Sequence, residues 1–188
     1  ERIEERAAEI AGEGHTERQG VTLDALEPAV DEETGSVAYR HVALDLDQAA
    51  RTATLTVTVP TDIPEIPEDP CALGADLVAL RMFRELDDAL LRLRFNHPEI
   101  GLVLVKTQGS IADVLAMDAA LAARADHWFI SETLHFMKRV LKRMDVTARS
   151  FFALIEPGSC FAGSLMELAL AADRSYMLEE EGVEVALG

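Results

Sequence analysis

Residues 155–173 read IEPGSCFAGSLMELALAAD, and their types and spacing carry more potential chemistry than any other part of the chain. A short apolar run, FFALI at 151–155, delivers the chain to the turn pair Pro157-Gly158. Gly163 and Ser164 then open a helix predicted over 161–172 that is apolar almost all round and therefore expected to be buried. A helix start leaves backbone N–H groups without intrahelical partners. Such groups can donate to an anion, or to the oxyanion that develops on an attacked carbonyl. One turn later comes Glu167, the one ionisable side chain in 161–172. A carboxyl group in apolar surroundings has its charged form disfavoured, which is how a general acid or base is tuned toward neutral pH. The same residue types also fit a purely structural glutamate that accepts a hydrogen bond. Cys160, in the same turn region, is placed either beside a bound acyl group or as a buried structural thiol. No histidine follows Ser164, so a serine-nucleophile reading of the Gly163-Ser164 step lacks its base.

The elements that must position this stretch are legible from periodicity. Residues 1–12 read as a charged helix, and 13–35 as an acidic linker. Residues 39–46 and 52–59 alternate apolar with polar and form a hairpin across a turn at 47–50. Four prolines between 60 and 70 demand an extended loop. Leu73, Leu77, Leu80, Phe83, Leu86, Leu90 and Leu93 recur at helical spacing, and Asn96-His97-Pro98 ends that helix. The run IGLVLVK at 100–106 fits a strand buried on both faces. Helices over 111–125 and 131–144, a buried strand at 151–155, the helix at 161–172 and a last strand at 174–178 complete the order. Strands alternating with helices predict an α/β layered fold with a largely parallel sheet.

Composition narrows the function. The net charge is −17, from 34 acidic and 17 basic residues, a field that repels nucleic acid and anionic membranes. No apolar run reaches the length of a membrane span, so a cytoplasmic protein is expected. The first residue is Glu1 and not methionine, which fits a processed start or a piece of a longer chain. The scarcity of lysine fits either a high-salt cytoplasm or a GC-rich genome. The two cysteines, Cys71 and Cys160, lack metal-ligand spacing and are expected as free thiols. None of the five histidines shows ligand spacing, so no metal is expected. His127-Trp128 reads as packing and the start of a helix. The densest basic patch is Lys138, Arg139, Lys142 and Arg143. The spacing puts it opposite Leu134, Met137 and Leu141, as a solvated face or a contact for coenzyme A phosphates.

The run GSLMELALAAD resembles the crotonase (enoyl-CoA hydratase/isomerase) superfamily signature, G-G-x-x-E-L-A-x-x-x-D. By that resemblance Gly163 matches the first glycine, the Ser164 N–H forms half of an oxyanion hole, and Glu167 is the first catalytic glutamate. The family's A-G-x-D loop is replaced by Thr107-Gln108-Gly109-Ser110, leaving Gly109 to offer the second N–H. A matching second carboxylate is missing, since Glu179, Glu180, Glu181 and Glu184 fall in an acidic loop. The runs ARTATLTV, RELDDALLRLR, VLAMDAALAARADHWFISET and ALIEPGSCFAGSLMELALAADRSYML are similar to the C-terminal half of the benzoyl-CoA-dihydrodiol lyases, also called 2,3-epoxybenzoyl-CoA dihydrolases. This resemblance covers nearly all of 40–178.

The resemblance implies a partial crotonase-like fold of repeated ββα units, shared with the Clp-type peptidases. A linker helix and acidic loop (1–35) would precede a truncated crotonase-like domain (36–188). It implies part of a CoA-thioester lyase that opens the ring of 2,3-epoxybenzoyl-CoA in aerobic benzoate degradation, with this segment a structural or degenerate half. The alternatives are a stand-alone enoyl-CoA hydratase or isomerase and a non-catalytic assembly module. The implied ligand is an acyl-CoA thioester, with coenzyme A as part of the substrate and no separate cofactor. The implied partner is a second copy or an N-terminal crotonase-like half.

Overall fold

The computed structural model describes residues 2–12 and 20–188. A helix, α1 (Arg2–Gly12), is exposed along its described side chains. Seven strands form one sheet in sequential order: β1 (Ala29–Val30), β2 (Val37–Ala38), β3 (Val42–Asp47), β4 (Thr52–Thr58), β5 (Leu102–Gln108), β6 (Ser150–Ile155) and β7 (Arg174–Met177). The first four run antiparallel, and β4 to β7 are parallel. Each parallel step is bridged by helix, as parallel pairing requires. The helices are α2 (Val78–Asn96), then α3 (Ile111–Ala122) with α4 (Trp128–Asp145), then α5 (Gly163–Ala171).

The alternation in β4 decides which face is covered. Ala53, Leu55 and Val57 are buried, with Leu55 wholly so, while the intervening threonines are half-buried or exposed. Register carries that division across the sheet. Leu55 pairs with Val105 and Val105 with Ala153 on the core face. Thr54, Leu104, Phe152 and Arg174 form the neighbouring row on the other face. On that second face Leu104, Phe152 and Leu154 are only half-buried. The expectation that β5 and β6 are buried on both faces is therefore corrected. Within the described residues, helices cover one face of the sheet and the other lies half open.

Helix α2 buries Leu80, Phe83, Leu86, Leu90 and Leu93 and packs against α4. It begins at Val78 and not at Leu73, because Gly74 adopts φ +53 within a 3-10 turn, Pro70–Asp76. Pro98 follows its C-cap His97 and prevents continuation. The linker expected over 13–35 contributes structure of its own. Residues 13–19 lie outside the described residues. Further on, the carbonyl of Asp24 accepts from Arg84 at 2.6 Å, and β1 pairs with β2.

Candidate functional site

Parallel strands bring their C-terminal ends to one edge of the sheet, where open α/β sheets bind ligands. Gly109 follows β5, and the turn 156–162 follows β6. Gly109 sits at φ +141, a conformation that favours glycine. A Cβ there would stand 3.1 Å from Val59 and 3.4 Å from the Cys160 sulfur, so Gly109 and Cys160 are neighbours in space. The Gly109 N–H donates to the Gly158 carbonyl at 3.1 Å, which closes the two strand ends together. Cys160 is fully buried, and its N–H donates to Thr107 Oγ1 at 2.9 Å. Burial pushes its thiol up, partly offset by the Thr107 hydrogen bond. Both cysteines are free.

The start of α5 has an internal occupant. The Ser164 N–H donates to Oδ2 of Asp118, on α3, at 2.6 Å. Gly163 holds φ +43, and a Cβ at that position would come within 2.2 Å of the same carboxylate oxygen. The Gly163 N–H donates to the Ala186 carbonyl at 3.2 Å, and the Leu165 N–H to the Ala162 carbonyl at 2.9 Å. The expectation that this helix start offers free amides for an oxyanion is therefore corrected. A carboxylate is a favourable partner for a helix N-terminus, through its hydrogen bond and through the helix dipole. Ser164 Oγ is buried without a hydrogen-bond partner among the described residues.

Glu167 is exposed, against the expectation of an apolar burial site. The reason lies in the phase of α5. Leu165, Leu168 and Ala169 face the core, which turns Glu167 and the 60%-exposed Leu170 outward. High apolar content made this helix read as fully buried, yet one side of it stays open. Glu167 lines a cleft of about 450 Å³ between α4 and α5, together with Ser164, Lys138 and Lys142. Leu134, Met137 and Leu141 line the same cleft, so Lys138 and Lys142 do not lie on an opposite face as expected. Arg143 instead pairs with Asp87, and Arg139 stacks over Phe136. A larger cleft of about 510 Å³, between α2, α4 and residues 20–26, is lined by Asp87, Phe136 and Arg139 but by none of Gly109, Cys160, Gly163, Ser164 and Glu167.

Among the described residues, Gly109 and Cys160 meet beyond the ends of β5 and β6, while Ser164 at the start of α5 and Glu167 on its outer side share the cleft against α4. Asp118 escaped the sequence reading. Its signal was an acid on the buried stripe of α3 formed by Val114, Met117 and Leu121. His127 caps α4 by accepting from the Phe129 N–H, in line with its reading as a helix start.

No family model matches the chain. Over 171 residues, 90% of its length, the chain is 46% identical to the benzoyl-CoA-dihydrodiol lyase of Aromatoleum evansii, and it spans only 30% of that protein. An enoyl-CoA hydratase structure from Geobacillus kaustophilus HTA426 superposes with a TM-score of 0.52 at 16% identity, over 81% of this chain and 50% of that one. An enoyl-CoA hydratase/carnithine racemase from Magnetospirillum magneticum gives 0.50 at 20% identity, over 73% of this chain and 47% of that one.

Proposed function

From a chain of crotonase-like fold whose sequence is similar to part of a benzoyl-CoA-dihydrodiol lyase, we propose that this is the structural half of a CoA-thioester lyase. The parent protein acts in the cytoplasm on 2,3-epoxybenzoyl-CoA during aerobic benzoate degradation. In this half the thioester cradle inherited from the fold is closed. One observation carries the reading: the Asp118 carboxylate already holds the Ser164 N–H that would otherwise meet a thioester oxygen. A carboxylate there is doubly unfavourable to catalysis. It consumes the donor, and its negative charge opposes a developing oxyanion. Gly109, the other proposed donor, is likewise engaged, by the Gly158 carbonyl. Glu167, the proposed acid, faces solvent.

The half-open sheet face supports a partner role. Leu104, Phe152 and Leu154 are incompletely covered, and Tyr176 on β7 is 51% exposed and packs edge-on against Phe152. This is an apolar surface of the kind that another crotonase-like half, or a second copy, would cover.

The test is hydration of crotonyl-CoA by the purified chain, with Glu167→Gln beside it. No turnover above background in either is the expected result. Turnover that Glu167→Gln abolishes would establish a stand-alone enoyl-CoA hydratase or isomerase and end the structural-half reading.

A further inference from the structure

Three side chains of metal-ligating type converge away from the α5 turn: Asp69, Cys71 and His127, whose ligating atoms all lie within 4.8 Å of one another. They come from two turns that are fixed independently. Asp69 is the N-cap of the 3-10 turn Pro70–Asp76, its Oδ1 accepting from the Cys71 N–H at 3.0 Å. His127 is the N-cap of α4, its Nδ1 accepting from the Phe129 N–H at 3.3 Å. That bond turns Nε2 toward Asp69 Oδ1, 4.0 Å away. The Arg124 guanidinium donates to the Glu68 carbonyl at 3.3 Å and ties the two turns together beside the cluster. In the metal-free chain, backbone capping holds both sides of the convergence.

We propose that Asp69, Cys71 and His127 bind a divalent transition ion of the zinc class, with the fourth coordination position open to water. One sulfur, one imidazole nitrogen and one carboxylate oxygen form a donor set that selects such ions over magnesium or calcium, which take oxygen ligands. A tetrahedral site with bonds of about 2.0–2.3 Å has ligand-to-ligand edges of roughly 3.3–3.7 Å. The three atoms therefore close by at most roughly 1.5 Å on binding, a movement that rotation of the exposed Asp69 carboxylate and the half-buried Cys71 thiol can supply. On ligation the thiol proton passes to solvent, and the imidazole proton moves from Nε2 to Nδ1. The His127 cap is then given up, and at 3.3 Å it is a long bond. A bound ion would pin the proline-rich loop before Pro70 to the start of α4.

The experiment titrates metal-free chain with cobalt(II) and follows thiolate-to-cobalt charge-transfer absorption, then displaces the cobalt with zinc. One equivalent of cobalt with a charge-transfer band is the expected result. Cys71→Ser removes that band. Asp69→Asn and His127→Asn both keep an N-cap acceptor, so the fold is retained, and circular dichroism checks this. Each weakens binding by at least about tenfold, the scale already seen for outer-shell partners. His135→Gln, which replaces an exposed histidine elsewhere on α4, leaves the titration unchanged. Absence of the band, or a band that survives Cys71→Ser, overturns the proposal.

Discussion

Replacing Asp118 by alanine removes one acceptor from the start of α5, and its cost can be worked from the structure. The lost interaction is a 2.6 Å hydrogen bond from the Ser164 N–H to a half-buried carboxylate at a helix N-terminus. Hydrogen bonds to charged groups contribute roughly 1.5–3 kcal/mol, and an N-cap change to alanine costs about 1 kcal/mol. These describe one interaction and are not summed; partial exposure draws the value toward the middle, about 2 kcal/mol. For a chain of this size that corresponds to a fall in Tm of roughly 4–8 °C. Asp118→Asn keeps an acceptor and loses only the charge, so it should cost about half as much. Gly163→Ala supplies a second arm. Its Cβ would meet the Asp118 oxygen at 2.2 Å, so part of its penalty is a clash that Asp118→Ala relieves. The double variant should therefore lose less stability than the two single variants together, with a coupling above about 0.5 kcal/mol. Urea denaturation of the parent and the four variants measures the free energies, and thermal unfolding of Asp118→Ala the fall in Tm. Full stability in Asp118→Ala, or strict additivity in the double variant, would refute the claim that this carboxylate holds the helix start.

Two further outcomes follow from a buried and a half-buried carboxylate on α2. Glu85 is fully buried, pairs with Arg81 at 2.7 Å and accepts from the His41 backbone N–H at 2.7 Å; Glu85→Ala should cost about 3 kcal/mol in urea unfolding, because it strands both partners. Burial pushes the Asp88 carboxyl up, but hydrogen bonds from Arg92 and Tyr39 outweigh it and hold the group below the ordinary carboxylate range. Its contribution to stability is thus present above about pH 4 and is lost as pH falls through the depressed value. Tyr39→Phe removes one donor, so an acid titration of ellipticity should show unfolding beginning at higher pH than in the parent.

The fold was legible where pattern and burial coincide. The threonine alternation of β4 and the leucine spacing of α2 each predicted the element and the face it buries. The start of α2 was misjudged by five residues, because a single glycine with positive φ turns the first leucines into a 3-10 segment. The depth of α5 was misjudged for a different reason. Apolar composition records what a surface tolerates, whereas the phase set by Leu165 and Leu168 decides which side meets the core. Lys138 and Lys142 illustrate the same limit, since their helix offers a cleft where a free face was expected. The carboxylate at the start of α5 lay beyond local pattern altogether. Asp118 and Ser164 are 46 residues apart, and only the packing of α3 against α5 joins them. An acid on an apolar helical stripe was the available clue, and Glu85 on α2 gives the same one.

The Ser164 amide is already taken by the Asp118 carboxylate. Amide chemical shifts of nitrogen-15-labelled chain, recorded while benzoyl-CoA is added, test it most directly. A Ser164 resonance that holds its position across the titration is the predicted result, with Asp118→Ala as the variant in which that amide is released. A saturable shift of Ser164 in the unaltered chain would contradict the account, because it would place a thioester where the Asp118 carboxylate is held to sit.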